Sequence, residues 1–305
     1  MFFAPPPTTE TSVFASLPDE LRMHGEPSEW RDGQPGGQPD HSLLEGPAFD
    51  HDGNLWCVDI AYGRIFRISP DGRFEVMITY DGEPNGLAFH QDGRLFIADY
   101  RNGIMVFDPR TRNIAPFLQR RHLERLKAVN DLTFADNGDL YFTDQGMTGL
   151  HDPTGRVFRV RPTGAPEMIL ANVPSPNGLV LSPDGATLYV AATRGNCIWR
   201  VPMMPDGSVA KVGNFIQLSG GQGPDGLAID RDGGLVICHI GLGTVWHMTP
   251  RGEPARRFVS PTGLHTTNVA FGGKNRDQLF ITEAETGTVL SAQTETRGLP
   301  LFGGY

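Results

Sequence analysis

Most of this chain is six near-copies of one string, and a repeat of that kind leaves few folds open. The copies read EGPAFDHDGNLWCVD from Glu45, NGLAFHQDGRLFIAD from Asn85, NDLTFADNGDLYFTD from Asn130, NGLVLSPDGATLYVA from Asn177, DGLAIDRDGGLVICH from Asp225 and TNVAFGGKNRDQLFITE from Thr267. Their starts lie 40, 45, 47, 48 and 42 residues apart, the period of a four-stranded propeller blade. A unit of this size cannot bury an apolar face by itself, so the copies must stack. The pattern predicts an all-β protein, a six-bladed β-propeller with four-stranded antiparallel blades around a central channel.

Each copy has the same grammar. An apolar stretch such as Gly86-Leu87-Ala88-Phe89 meets a turn, Asp52-Gly53, Asp92-Gly93, Asn137-Gly138, Asp184-Gly185 or Asp232-Gly233, and an alternating strand such as Leu95-Phe96-Ile97-Ala98 follows. Asp-Gly and Asn-Gly between apolar runs are hairpin signals, because glycine accepts the positive φ that the turn imposes. A third strand, as in Arg64 to Ile68, and a weaker fourth, as in Phe74 to Thr79, complete the unit. One helix is expected, over Arg120 to Lys127. Residues 1–40 hold seven prolines and no copy of the motif. They are expected to form an extension wrapping a single propeller domain over 41–305, with Ser12 to Leu17 supplying a closing strand to the last blade.

The totals limit the partners. Of 305 residues, 35 are acidic and 26 basic, a formal charge of −9, which disfavours nucleic acid and anionic membranes. No run approaches the roughly 20 apolar residues of a membrane span, and the opening MFFAPPPTTETSVF has no basic region. Cys57, Cys197 and Cys238 are odd in number and lie in apolar runs, reading as buried thiols in a reducing compartment, so a cytoplasmic location is expected. The closed ring requires no oligomer.

In a propeller the innermost strand borders the channel, so the first residue of every copy converges on one mouth. These are Glu45, Asn85, Asn130, Asn177, Asp225 and Thr267: carboxylate, amide and hydroxyl oxygen. Asn or Asp before Gly also shapes turns, but glutamate is not a turn residue. Facing carboxylates without a cation repel, and a hard divalent ion resolves this with two carboxylates, two amide carbonyls and water. The expected ligands are Glu45, Asn130, Asn177 and Asp225, with Asn85 and Thr267 as lining. Calcium is the first choice; magnesium, manganese and zinc are alternatives, zinc the poorest because it prefers histidine or thiolate.

A second polar ring follows fourteen positions on: Asp59, Asp99, Asp144 and His239, with Glu283 in the matching place. Its members are expected to orient ligands or to cap turns. Asp144 is kept as a candidate for catalysis and His239 for substrate contact, together with Asn85.

Glu45-Gly46-Pro47, Val129-Asn130-Asp131, Pro176-Asn177-Gly178-Leu179 and Pro224-Asp225-Gly226-Leu227, in that order and spacing, resemble the family of gluconolactonases, regucalcin (SMP-30) and other calcium-dependent lactonases, and distantly diisopropylfluorophosphatase. The resemblance spans about residues 40–295. It implies a metal-dependent lactonase acting on a small-molecule lactone, with the family's metal-binding Glu, two Asn and Asp at Glu45, Asn130, Asn177 and Asp225. It also makes Asp225 the general base; beside it Asp144 is kept in reserve, and Asn130 is expected to hold both metal and substrate. Two departures stand out. Regucalcin-like members carry a sugar-binding arginine where this chain has Ala128, and the places of a second, deeper calcium hold Ala228 and Ala270, so that second site is not expected. Apolar Met147, Leu150, Ile240 and Leu242 in the mouth loops suit a substrate less polar than a sugar lactone. Organophosphate or phosphoester hydrolysis at the same metal and a non-catalytic NHL-like binding propeller are the competing readings. No G-x-S-x-G, H-E-x-x-H or phosphate-loop motif competes.

Overall fold

The computed structural model describes residues 4–35 and 39–304. Six small sheets stand around a channel, as the repeat requires. Blade I runs Leu44–Phe49, Leu55–Asp59, Arg64–Ile68 and Phe74–Thr79 from the channel outward. Blade II is Pro84–Phe89, Leu95–Asp99, Gly103–Asp108 and Asn113–Leu118. Blade III is Val129–Phe134, Leu140–Asp144, Gly155–Val160 and Glu167–Val173. Blade IV follows with Pro176–Leu181, Thr187–Ala192, Cys197–Pro202 and Gly213–Gln217. The inner strands of successive blades adjoin all the way round, and that of blade VI returns to blade I.

The N-terminal segment closes the last two blades. Blade V, Gly223–Ile229, Leu235–Ile240, Thr244–Met248 and Pro254–Val259, gains a fifth, parallel strand from Thr8–Glu10. Blade VI has only Thr266–Gly272, Gln278–Glu283 and Thr288–Gln293 from its own repeat, and Ser12–Ser16 pairs antiparallel with the third to complete it. Strand exchange between distant parts of the chain covers an edge that would otherwise be open to pairing.

The core is divided into six apolar clusters, one at each blade interface. Between blades I and II, Trp56 meets Phe89 edge-on at 5.6 Å and Phe107 at 6.3 Å. Truncating a buried aromatic of this kind costs about 3–5 kcal/mol. Cys57, Cys197 and Cys238 are buried free thiols, as their apolar settings predict. The hairpin turns behave as the Asp-Gly pairs foretell: Gly93 sits at φ 87° and Gly233 at φ 88°.

The helix expected over Arg120 to Lys127 is not formed. Arg120–Arg121 pairs with Glu124–Arg125 as a small hairpin, turning through His122 at φ 55°. Eight residues are too few to hold a helix without a packing face, and here Glu124 is drawn sideways by Arg156, 2.7 Å away. The one α-helix among the described residues is the single turn Glu29–Asp32, capped by Ser28, whose hydroxyl accepts from the Arg31 N–H. No helix among the described residues is long and apolar enough to cross a membrane.

Candidate functional site

Every inner strand begins with a β-bulge. The ladder slips between Glu45 and Ala48, Pro84 and Leu87, Val129 and Leu132, Pro176 and Leu179, Pro224 and Leu227, and Thr266 and Asn268. A bulge re-aims side chains that a regular strand would send to opposite faces. The second position of the motif therefore matters as well as the first. It is glycine in four copies, but Asp131 and Asn268 in blades III and VI, and both of these line the channel. The glycines make room for them: a Cβ on Gly86 would lie 2.2 Å from Asp131 Oδ1, and one on Gly226 would lie 2.0 Å from Asn268 Oδ1.

Glu45, Asp131 and Asp225 form a buried acidic group at the channel mouth. All are under a tenth exposed. Asn268 ties two of them together, donating from Nδ2 to Glu45 Oε2 at 2.9 Å and hydrogen-bonding the Asp131 carboxylate. Burial pushes Asp131 up to about 7, against the Leu132 N–H and Asn268. Burial and then repulsion from Asp131 push Asp225 up to about 7, opposed by a hydrogen bond from Asn177 and by the Arg194 charge. Glu45 is raised well above the carboxylate range by burial and by repulsion from Asp225 and Asp131.

The amides complete the arrangement. Asn130 donates from Nδ2 to Gln145 Oε1 at 3.0 Å, and Asn177 hydrogen-bonds the Asp225 carboxylate. Their carbonyl oxygens, Asn130 Oδ1 and Asn177 Oδ1, are both buried with no hydrogen-bond partner. Asn177 Oδ1 belongs to the amide that bonds Asp225, and Asn130 Oδ1 to the residue that precedes Asp131; orphaned amide oxygens and mutually repelling carboxylates are a kind of donor set that a hard cation suits. No group of three His, Cys, Asp or Glu side chains arranged to hold a metal occurs among the described residues.

The remaining residues of the first ring differ. Asn85 is buried. Thr267 turns away to the blade seam, its hydroxyl within 3.0 Å of Leu44 O and 2.8 Å of Thr282 Oγ1. Its neighbour Asn268 takes the channel-facing place. The signal that could have found Asp131 and Asn268 was in the strings: both break the run of glycine at the second position.

The second ring is saturated. Asp59 accepts from Leu43 N–H at 2.9 Å and pairs with Arg64 at 2.6 Å. Asp99 accepts from the Tyr80 hydroxyl at 2.7 Å and from the Glu83, Arg101 and Asn102 N–H groups. Asp144 is fully buried, with Oδ1 on Ala128 N–H at 2.9 Å and Oδ2 on Arg156 Nε at 2.7 Å. Glu283 accepts from the Glu285 and Thr286 N–H groups. His239 donates from Nε2 to Gly220 O at 3.0 Å and accepts at Nδ1 from Trp246 at 3.2 Å, and burial lowers its pKa. Three of these carboxylates hold the backbone two residues before the motif's first position, which fixes the entry of the inner strand.

A cavity of about 440 Å³ lies not above this mouth but along the channel towards the opposite face. Small residues, Ala48, Ala88, Ala228 and Ala270, keep it open, and the tail from Leu299 to Phe302 covers its far end. It shares Asp131 and Asn268 with the acidic group.

With this geometry in hand, the likeness to known proteins is specific. The family described as SMP-30/gluconolactonase/LRE-like region matches residues 43–285. Lactonase drp35 of Staphylococcus aureus is 31% identical over 232 residues, covering 72% of this chain and 70% of that protein. The calcium-binding protein regucalcin of Agrobacterium tumefaciens superposes with a TM-score of 0.77 at 24% identity, covering 98% of this chain and 99% of that one. A gluconolactonase of Xanthomonas campestris gives a TM-score of 0.73 at 24% identity, over 96% and 98% of the two chains. At such identities the two structures show the shared propeller. The match over residues 43–285, together with the drp35 relatives, settles the assignment: the chain belongs to the SMP-30/gluconolactonase/LRE-like family.

Proposed function

We propose that this protein is a metal-dependent lactonase acting at the channel mouth, with Glu45, Asn130, Asn177 and Asp225 as the residues that hold one divalent cation, calcium by preference. The observation that carries the metal is the pair of buried, partnerless oxygens, Asn130 Oδ1 and Asn177 Oδ1, beside Glu45 and Asp225. The reaction class is supported by relatives named lactonases at 31% identity. When bound, the cation supplies Lewis-acid polarisation of a carbonyl oxygen.

The chain's own residues do the rest. Asp225 is the group suited to take the proton of the attacking water, since a carboxylate can accept a proton at one oxygen while the other serves as ligand. Water adds to the lactone carbonyl carbon, the ring C–O bond breaks, and the proton passes to the leaving alkoxide, giving one hydroxy acid. Asp144 is the weaker candidate because both of its oxygens are engaged. Glu45 serves as a ligand only; Asn268 and the Gly46 N–H fix its carboxylate. Asn130 and Asn85 face incoming substrate, and His239, with both nitrogens occupied, shapes the wall. The exposed Met147 and Leu150 on the rim favour a lactone with apolar substituents over a bare sugar lactone.

Stripping the protein of metal and titrating calcium into it, then assaying a panel of lactones and a fluorophosphate, tests this reading. A stoichiometric site with metal-dependent lactone turnover is expected. Preferential turnover of the fluorophosphate would move the activity to phosphoryl chemistry, and equal lactone rates with and without metal would remove the ion from the mechanism. Three buried thiols and a charge of −9 fit a cytoplasmic protein that works as a single ring.

A further inference from the structure

The residue that follows the cross-strand partner of the position before each motif is not equivalent around the ring. The strand registers place Ile60, Tyr100, Gln145, Thr193, Ile240 and Ala284 there in blades I to VI. Only blade III has an amide. Gln145 Oε1 accepts from Asn130 Nδ2 at 3.0 Å, and Gln145 Nε2 donates to Ser175 Oγ at 2.9 Å, at the entrance to blade IV. Its backbone is held from both sides: its N–H donates to Ala128 O at 2.8 Å, and its carbonyl accepts from Thr148 Oγ1 at 2.6 Å. Thr148 Oγ1 in turn accepts from the Ser175 N–H at 3.2 Å, closing a circuit of three residues.

Ser175 has φ 61°, a left-handed conformation that favours glycine. A serine there keeps a strained backbone and, in return, places a hydroxyl against Gln145. Strain is retained where the surroundings over-determine it. The consequence reaches the site through Asn130. With its Nδ2 spent on Gln145, the Asn130 amide can present only Oδ1 on its other side, and that is the oxygen left buried and partnerless.

We propose that Gln145, braced by Ser175, is a positioning residue that fixes the Asn130 amide with its carbonyl towards the cation site. This rests on the metal reading above. Without an acceptor at position 145 the amide is free to rotate and turn its NH₂ towards the site, where a cation would be repelled.

Calcium titration calorimetry on metal-stripped protein tests this, with thermal melting of the same preparations. Gln145→Leu is expected to weaken calcium binding about tenfold, the lower end of what loss of a ligand's supporting hydrogen bond costs, with its metal-free melting temperature held. Gln145→Glu accepts hydrogen bonds but cannot donate them, and the Ser175 hydroxyl can donate to it. It is expected to keep or tighten the parent affinity. Ser175→Gly removes the brace while easing the backbone, so a weaker affinity, by about threefold on the same reasoning, should accompany an unchanged or raised melting temperature. Parent-like affinity in Gln145→Leu, or loss in Gln145→Glu equal to that in Gln145→Leu, would overturn the assignment while leaving the metal site standing. A parent that binds no divalent ion would overturn the metal reading and this proposal with it.

Discussion

Two rings of acidic residues sit at the same end of this propeller, fourteen positions apart in the repeat, and they are used in opposite ways. Asp59, Asp99, Asp144 and Glu283 are fully buried, and arginines, a tyrosine or backbone N–H groups satisfy each of them. Glu45, Asp131 and Asp225 are about as buried, yet they face one another, and two amide oxygens beside them have no donor. Burial of a carboxylate therefore says little about its role. What separates the rings is completeness: the carboxylates of one have their donors within the chain, and the other keeps two buried amide oxygens that have none.

That contrast can be broken at several points. The largest effect is expected in the incomplete ring: Asp225→Asn and Glu45→Gln should each lower lactone turnover by more than about a thousandfold, as loss of a metal ligand or base commonly does, with circular dichroism unchanged. Turnover near the parent level in both variants, with metal bound, would sink the assignment of the site.

The complete ring should respond in stability instead. Asp144→Ala takes from Arg156 its buried partner and leaves it only the exposed Glu124 as counter-ion, and breaking a buried pair in this way costs about 3–5 kcal/mol. A fall in the urea midpoint is expected, while the fraction that remains folded keeps its calcium stoichiometry. Loss of calcium binding without loss of stability would show that Asp144 belongs to the site.

Calcium itself should stabilise the parent. A ligand present at about 1,000 times its Kd adds about 4 kcal/mol, which a melting scan would show as a rise of several degrees. Asp225→Asn should lose that rise.

A further effect is the pH dependence of the metal-free protein. Asp131 and Asp225 titrate near 7 when folded, against about 3.9 for an unfolded aspartate. A raised carboxylate pKa means that the folded state holds more protons, so this contribution is full below about pH 4 and is lost as pH rises to about 7. The metal-free protein should melt higher at pH 5 than at pH 8, and calcium should flatten the difference. A metal-free protein that melts higher at pH 8 would contradict the buried acidic group.

Much of this was legible from the strings. The six blades follow from spacing, turns and apolar runs, and the strand Arg64–Ile68 and the N-terminal closing strand fall where the sequence places them. The oxygen-rich first position was legible because a glutamate and three amide or carboxylate residues recur where a turn needs none. Asp131 and Asn268 were missed because a plain strand alternates its side chains, and only the bulge brings a second position to the channel. Thr267 was placed on the mouth for the same reason and instead bonds across the seam. The helix expected over Arg120 to Lys127 failed because local propensity in eight residues is weak beside the pull of Arg156 on Glu124.

By itself, then, the sequence determined the number of blades, the order of strands and which residue types would meet at one mouth, since these depend on periodicity and on turn chemistry carried within each repeat. Only the tertiary structure decided which of the carboxylates are satisfied. Arg64 and Arg156 lie on the neighbouring strand of their own blades, Asn268 and Asp131 reach across the channel from different blades, and Gln145 bridges two. Hydrogen-bond satisfaction is a property of three-dimensional neighbours, and ring closure is what brings them together.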